Sequence, residues 1–413
     1  MPRLRYWTAR ILLILSILGP GFITANVDND AGGIYTYSSA GAQFGYSLLW
    51  TMIPMAVVLA IAQEIAARTG VVTGKGLSEL IREEYGLRIT FFLMAALVLC
   101  NIGDIVSEFI GVASSLQLFG VSKFISVPVA AALVWALVVF GDYKKLERIF
   151  VFLSFLYVAY VITGFLAKPS WLEISRHLFR FPSIHEIREP AYLYLAVGII
   201  GATIAPWQQF YLQASVVEKG STKKDLKYSQ IDAIFGSLFS VIVAAFIIVV
   251  CAATLFSHGF HGIQDAADAA QSLKPLGGEY TFLLFSVGLL NASLFAASIL
   301  PLSSAYTVCH ALGFEAGLNR RFKDARVFYG LYTSLLVIGG LITLVPHFPL
   351  VKVAVLSQVL NGILLPFVLV FMLLLANNSE IMKEHKNSRR YNALAWALTL
   401  IIVALTVFLL ISL

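Results

Sequence analysis

Apolar runs long enough to cross a bilayer recur along almost the whole of this 413-residue chain. Hydrophobic residues make up 59% of the sequence and charged residues only 13%, about half the charged share of an average soluble domain. A spanning helix needs about 20 mostly apolar residues, and nothing between the runs has the composition of a soluble domain. The sequence therefore predicts an all-α polytopic membrane protein, with a single transmembrane domain over residues 1–413.

The apolar runs divide into eleven predicted spans, of which the first and the sixth are interrupted. Helices one to five and six to ten then have opposite topology, so the two interruptions are related by an inverted 5+5 repeat. The repeats cover about 11–167 and 190–376, followed by an extra helix at 392–412. The predicted spans are 11–40, 47–67, 89–119, 124–141, 146–167, 190–216, 229–256, 279–312, 327–346, 351–376 and 392–412.

The basic residues predict how the chain is oriented. Of its 29 Lys and Arg residues, 22 fall on the side of the N-terminus and 7 on the other side. Cytoplasmic segments are the ones enriched in Lys and Arg, so we expect a cytoplasmic N-terminus and an outside C-terminus in a plasma membrane, such as a bacterial inner membrane. This bias explains the net charge of +6 without a nucleic-acid partner. The lipid bilayer is the expected surrounding, and no obligate protein partner is predicted.

The first span is interrupted by an acidic and glycine-containing segment. Asp30 lies about 20 residues into the run and is followed by Ala31, Gly32 and Gly33. Glycine lets the backbone leave helical geometry, and a carboxylate beside freed carbonyl oxygens is a ligand set for a hard cation. Intramembrane acids are costly and usually functional. The pattern predicts a cation site at Asp30, and the alternative is that Asp30 only caps the outer end of a short helix.

The sixth span is interrupted at Pro206. Proline removes one backbone donor and disfavours helical geometry at Ala205, so the carbonyls near Ala202 and Ala205 are predicted to face the ion. An ordinary proline kink is the alternative, since such kinks are common in membrane helices. Two broken helices at corresponding positions of two halves point to a transporter's binding site.

Other polar residues within the spans are candidates for the ion pathway. Asp104 and Glu108 lie four residues apart on one face of helix three, which suits either a proton or ion route or a buried polar pair near Asn101. Gln358 and Asn361 of helix ten suit either oxygen ligands or interhelical hydrogen bonds. The remaining candidates are Asp28, which is either a vestibule or a structural residue, Gln208 beside the helix-six break, and Asp232, a gate or capping residue.

Several chemistries have little support in the sequence. Cys100, Cys251 and Cys309 are far apart in apolar segments, which favours buried thiols. His258 and His261, with Asp265 and Asp268, can gather a metal outside the membrane, but solvated loop residues are the better interpretation. No phosphate loop, nucleophile triad or zinc motif occurs, so neither an enzyme nor a cofactor is predicted.

The residues around the two interruptions carry a resemblance to a known family. The chain resembles the Nramp family of divalent metal transporters across nearly its whole length, which implies a LeuT-like (APC-type) fold. The matching segments are Gly19-Pro20-Gly21-Phe22 through Asp30-Ala31-Gly32-Gly33, Ala40-Gly41-Ala42-Gln43-Phe44-Gly45-Tyr46, Leu48-Leu49-Trp50, Thr73-Gly74-Lys75, Gly201-Ala202-Thr203, Ser357-Gln358-Val359 and Pro366.

The chain departs from the family pattern at the expected ligands. The family's Asp-Pro-Gly-Asn in helix one becomes Asp30-Ala31-Gly32-Gly33, which keeps the acid and loses the asparagine. Its Met-Pro-His in helix six becomes Ala205-Pro206-Trp207, which loses the thioether ligand and the histidine associated with proton coupling.

Two further departures lie in helices ten and three. Leu364 stands where the family often has glutamine. Glu108 matches the family's helix-three glutamate, but Ile105 replaces that residue's usual aspartate partner, and Asp104 is one position away.

These departures imply a particular cargo. A thioether favours soft ions, whereas Mg²⁺ keeps several waters and takes one or two carboxylates. With Gly33 and Ala205 around Asp30, the predicted site is larger and made of oxygen ligands, as in the Nramp-related magnesium transporters. The resemblance implies a secondary transporter that imports Mg²⁺, and also Mn²⁺, by alternating access. With Trp207 in place of histidine, it is predicted not to be proton-coupled.

Two alternatives remain open. One is a proton-coupled Mn²⁺/Fe²⁺ importer, in which Glu108 and Asp104 carry the proton. The other is an amine or amino-acid carrier on the same fold, with the ammonium at Asp30 and an organic pocket at Trp207.

Overall fold

The computed structural model describes residues 18–259, 266–346 and 349–412. This part of the chain is helical and contains no strand, which confirms the predicted all-α class. The first five spans are made of seven helices, because the first and fifth spans are each divided. These helices are α1 (Pro20–Val27), α2 (Ala31–Phe44), α3 (Met52–Thr73), α4 (Leu77–Gln117), α5 (Lys123–Val139), α6 (Tyr143–Phe155) and α7 (Val158–Leu166).

The remaining helices form a linker, the second set of spans and a C-terminal extension. The linker, the short helix before the last span and much of the last span itself are exposed or partly exposed, whereas the others build the core. They are α8 (Trp171–Leu178), α9 (Ile184–Arg188), α10 (Pro190–Thr203), α11 (Pro206–Glu218), α12 (Leu226–Thr254), α13 (Ala266–Leu312), α14 (Arg326–Leu344), α15 (Leu350–Asn377), α16 (Ser379–Met382) and α17 (Arg389–Ser412).

Nine helices within the described ranges are long and apolar enough to cross a membrane, by length and composition. α5 is a shorter apolar helix of 17 residues, and the start of the first span lies outside the described residues. The interruptions of the first and sixth spans are confirmed. The total of eleven spans stays a prediction.

Helix boundaries differ from the predicted spans where polar residues are neutralised inside the fold. The second span was predicted to end at 67, but α3 continues to Thr73. Arg68 remains in the helix because Glu64, one turn earlier, accepts its side-chain N–H at 2.8 Å. The helix then ends at Gly74, whose left-handed conformation (φ 66°) is the usual way to close a helix.

Two other spans are divided in ways that the hydropathy pattern does not show. The third span begins at Leu77 rather than 89, and Gly86 (φ 82°, ψ 167°) separates a short helical arm from the apolar part. The fifth span is divided into α6 and α7 around residues 156–157. Hydropathy detects how long an apolar run is, but it does not detect a local change of backbone direction within the run.

Packing places both halves of the first span against one long helix. α1 and α2 contact α12, α10 packs against α15, and α4 packs against α13 and α15. The interruptions therefore lie in the protein interior. Large apolar side chains such as Phe92 (73% exposed) and Phe140 (77% exposed) point outward from the spans, as expected for surfaces that face lipid.

Candidate metal-ion site at two broken helices

The first break is a short non-helical segment in the middle of a buried span. α1 ends at Val27, and the extended backbone of Asp30 (φ −69°, ψ −179°) starts α2. The Asp30 Oδ1 atom accepts the Gly33 N–H at 2.6 Å, so Asp30 is the N-cap of α2. The cap is not at the outer end of a short helix, since α2 continues for 14 residues. Gly33 lies in the first turn, where a Cβ atom would come within 2.7 Å of the Asp28 carbonyl oxygen.

The second break is formed by backbone alone. α10 ends at Thr203, Ile204 (φ −134°, ψ 64°) and Ala205 (φ −65°, ψ 138°) are non-helical, and α11 starts at Pro206. Pro206 has no N–H to donate to the Ala202 carbonyl, the oxygen that a continuous helix would pair with it. The second break is therefore uncharged. The Ala202 carbonyl loses its usual helical partner, whereas the Ala205 carbonyl accepts the Gln208 N–H at 3.2 Å. That these two carbonyls face an ion stays a prediction.

The structure brings the two breaks together. Asp28 lies beside the Gln208 side chain and the Ala205 backbone. On the opposite side of the break, the Tyr37 hydroxyl and the Thr203 hydroxyl are 3.0 Å apart and join α2 to α10. The four half-helices thus meet around the segment that contains the aspartates, both of which are 2% exposed.

The two acids of α4 share a helix face but have different partners. Glu108 reaches the first break, where its Oε2 atom accepts the Ala31 N–H at 3.1 Å. Asp104 instead pairs with α15, accepting both of its close hydrogen bonds from the Asn361 amide at 3.0 and 2.9 Å. The nearby Asn101 amide turns to another helix and donates to the Ser304 hydroxyl at 2.8 Å.

α15 contributes the amides predicted for helix ten. Gln358 packs over the first break so closely that a Cβ atom at Gly32 would clash with its side-chain amide. Its Nε2 atom is 3.5 Å from Asp104, and its Oε1 atom accepts from Asn361 at 3.4 Å. Gln358 and Asn361 therefore bond α15 to α4, and the Asn361 Oδ1 atom has no hydrogen-bond partner in the described part of the chain.

Four carboxyl groups are buried around the breaks. Asp28, Asp30, Asp104 and Glu108 are each no more than 2% exposed. None of them forms an ion pair with Lys or Arg among the residues that the structure describes. Asp28 Oδ2 and Glu108 Oε1 also lack a hydrogen-bond donor there. Buried charges are normally paired or bound to a metal, so this arrangement can receive a cation, a proton or both.

Helix α11 continues the polar lining away from the break. Trp207 is fully buried, its carbonyl accepts the Ser303 hydroxyl at 3.0 Å, and its indole N–H has no partner within the described residues. The Gln208 Oε1 atom accepts the Gln63 amide of α3 at 2.7 Å. Gln63 was not predicted as part of the site, although a glutamine in an apolar helix is a signal that could have identified it.

The outer-side residues considered as an alternative metal site lie mostly outside the described part of the structure. The His258 ring nitrogen Nδ1 lies 2.8 Å from the Thr254 carbonyl. His261, Asp265 and the side chain of Asp268 lie outside the described part of the structure. Among the residues searched in that part, no three or more His, Cys, Asp or Glu side chains form a metal-binding group. A cation at the breaks would therefore depend on one or two carboxylates, carbonyls, amides and water.

Asp232 of α12 caps the start of the first span. It accepts three backbone N–H groups, from Gly19 at 2.9 Å, Gly21 at 2.7 Å and Phe22 at 3.1 Å. Of the two roles predicted for this residue, capping is thus observed. The cap comes from a helix more than 200 residues later, so no local sequence pattern can reveal its partner.

The fold and the paired breaks define a class, that of membrane transporters built from inverted repeats with two interrupted helices. The structure resembles that of Mhp1, a nucleobase-cation-symport-1 family transporter, with a TM-score of 0.62 at 13% identity over 95% of this chain and 91% of the other. It resembles a manganese transporter from Eremococcus coleocola more strongly, with a TM-score of 0.77 at 22% identity over 97% of this chain and 86% of the other.

Sequence comparison identifies the family. The model for "Natural resistance-associated macrophage protein-like" (Nramp) proteins matches residues 21–412, and the chain belongs to this family. It is 30% identical to the divalent metal cation transporter MntH of Bacillus subtilis, over 97% of this chain and 92% of that protein. It is also 27% identical to MntH of Deinococcus radiodurans, over 96% and 90%. The chain is therefore a multi-pass membrane transporter, which confirms that it is not an enzyme.

Proposed function

We propose that this protein imports divalent metal cations, chiefly Mg²⁺ and also Mn²⁺, by alternating access and without proton coupling. The MntH relatives are named as divalent metal cation transporters, which supports a metal ion rather than an amine as the cargo. We further propose that the chain forms one transporter domain, with a cytoplasmic N-terminus and the C-terminus outside.

The four buried acids carry the cation proposal. Their charge has no Lys or Arg partner in the described residues, and Asp28 and Glu108 each direct an oxygen without a donor into the interior. Asp30 lies at the break itself, held by the Gly33 N–H. A mobile divalent cation is the counter-charge that such a group of acids can bind and release.

The preference for Mg²⁺ rests on what surrounds Asp30. Gly33 has no side chain, and Ala205 places only a methyl group at the second break, so neither offers nitrogen or sulfur. Nitrogen and sulfur ligands favour transition metals, whereas carboxylate, carbonyl and water favour Mg²⁺. Mg²⁺ sheds its waters reluctantly and is usually bound through one or two carboxylates, which agrees with a site of few protein ligands.

Uptake without protons is consistent with the energy available. An inside-negative potential contributes about 2.3 kcal/mol per elementary charge per 100 mV, so a divalent ion is driven inward by about twice that amount. Trp207 cannot carry a proton. Glu108 favours the second candidate, a proton-coupled Mn²⁺/Fe²⁺ importer. Its Oε2 atom contacts the first break, and its Oε1 atom has no hydrogen-bond partner among the described residues.

The test is ion uptake into proteoliposomes, with internal pH recorded in the same vesicles. We expect Mg²⁺ to enter, Mg²⁺ to compete with Mn²⁺, and the vesicles not to acidify beyond protein-free controls. Asp30→Ala should abolish uptake, whereas Asp142→Ala, at a more exposed carboxylate distant from the breaks in sequence, should leave it unchanged.

The outcomes separate the two candidates. Mn²⁺ uptake that ignores a large excess of Mg²⁺ would overturn the Mg²⁺ proposal. Uptake that requires an inward proton gradient, or that acidifies the vesicles in proportion to metal entry, would favour the proton-coupled importer.

A further inference from the structure

The start of α1 is held by one side chain from another helix. Asp232 accepts the N–H groups of Gly19, Gly21 and Phe22, which have no partner within their own helix because they lie in its first turn. A carboxylate at this end of a helix also interacts favourably with the helix dipole. No side chain of α1's own N-cap residue replaces it, because that residue is Gly19.

At two glycines, the contact between α1 and α12 brings backbone against backbone. A Cβ atom at Gly21 would lie 2.6 Å from the Cα atom of Ala233, and one at Gly236 would lie 2.6 Å from the Cα atom of Phe22. The two glycines therefore let the helices approach closely, and the aligned contact keeps Asp232 opposite the N–H groups. This close contact fits only one relative position of the two helices. A small displacement of α1 would lose both the packing and the hydrogen bonds to Asp232.

Polar groups and open space also adjoin the start of α1. Lys219, at the end of α11, forms an ion pair with Glu147 at 2.7 Å, and both groups approach Gly19. A cavity of about 380 Å³ adjoins this point and is lined by Pro20, Gly21, Lys219 and Asp232, among others. The cavity therefore lies between the start of α1 and helices α11 and α12, and it provides space into which α1 can move once the cap is released.

We propose that Asp232 is a positioning residue for transport, which holds α1 in the closed arrangement through its three N–H contacts. Because α1 ends at Val27, directly before Asp28 and beside the second break, the cap at one end of the helix fixes the aspartate that follows the other end. Removal of the cap shifts the equilibrium towards the state that is open on the α1 side. This inference rests on alternating access, as proposed above, but not on the identity of the ion.

The experiment measures which side of the break is accessible to water. Thr24→Cys, fully buried in α1, reports on the α1 side, and Ser39→Cys, 4% exposed in α2, reports on the other side. Each is placed in the full chain with the three native cysteines replaced by alanine, reconstituted in liposomes without divalent metal. The labelling rate with a membrane-impermeant methanethiosulfonate reagent is compared with and without Asp232→Ala, with the reagent supplied on the relevant side.

We expect Asp232→Ala to raise the labelling rate at Thr24→Cys by about tenfold, the size expected for the loss of a favourable helix cap, and to lower the rate at Ser39→Cys. Asp232→Asn retains an oxygen acceptor without the charge and should give a smaller shift in the same directions. Asp225 lines the same cavity, and within the described ranges its side chain accepts hydrogen bonds only from Thr222. Asp225→Ala is therefore the matched control and should change neither rate.

A reciprocal change at the two reporters supports the proposal, because simple loosening of the fold would raise both rates. Unchanged rates, or rates that rise together in both Asp232 variants, would overturn it. Since no metal is present during labelling, the result is independent of whether Mg²⁺ is the cargo.

Discussion

The two breaks have similar positions in their spans but opposite chemistry. The first supplies two carboxylates, Asp28 and Asp30, and the second, at Ile204 and Ala205, supplies only backbone and small or apolar side chains. The first break supplies the negative charge of the site. The second break determines how much space the site has and whether it contains a soft ligand such as sulfur. We infer that the first break determines whether a cation binds, and the second determines which cation binds.

The strongest test of this division is Asp30→Asn. The amide oxygen can still accept the Gly33 N–H, so α2 should keep its cap while the site loses one negative charge. Loss of one partner from a buried ionic contact costs about 3 kcal/mol or more, which corresponds to a fall of more than about 100-fold in metal affinity. Isothermal titration with Mn²⁺ and uptake in proteoliposomes would measure it. A variant that binds as tightly as the parent would show that the charge at this break is not required.

The second break is tested by Ala205→Met. The added thioether should favour Mn²⁺ and Cd²⁺ over Mg²⁺, and we expect Mg²⁺ to compete about tenfold less well, equivalent to about 1.4 kcal/mol. Ala205→Leu adds similar bulk without sulfur and is the matched control. It should weaken both ions to the same extent. Equal selectivity in the two variants would mean that size alone, and not ligand chemistry, acts at this position.

The sequence predicts those features that depend on local physics. Spans appear as apolar runs because lipid requires every backbone group to be paired within a helix. The second break appears because Pro206 cannot continue a helix. Gly32 and Gly33 indicated the first break, although both lie in the first turn of α2, just after it. The local sequence also allowed Asp30 to be a helix cap, and the structure shows that Asp30 caps α2 in the middle of the span.

Partners across the fold could not be predicted in the same way. The four-residue spacing correctly places Asp104 and Glu108 on one helix face, but spacing does not indicate that one meets α15 and the other the first break. Gln63 and Asp232 act on groups 145 and more than 200 residues away. Such pairs depend on which helices pack together, which is a property of the whole chain.

Glu108 provides a finer test, because it belongs to neither break yet touches the first. Glu108→Gln keeps an oxygen for the Ala31 N–H but removes the titratable group. We expect Mg²⁺ uptake to fall by about tenfold, the lower range for groups that support metal ligands, with no change in internal pH in either protein. If the parent acidifies its vesicles and this variant does not, Glu108 carries a proton and the uncoupled mechanism is wrong.

Asp104 should have the smallest effect, because its close hydrogen bonds go to Asn361 and not to the break. In Asp104→Asn the new side-chain oxygen can accept from the Asn361 amide, so we expect uptake to change by less than about threefold, or roughly 0.6 kcal/mol. Asp104→Leu leaves that buried amide without its acceptor and should lower the unfolding temperature measurably. If a stably folded Asp104→Asn protein lost more than tenfold in uptake, Asp104 would lie on the ion route. The negative charge of α4 would then contribute to cation binding together with the carboxylates of the first break.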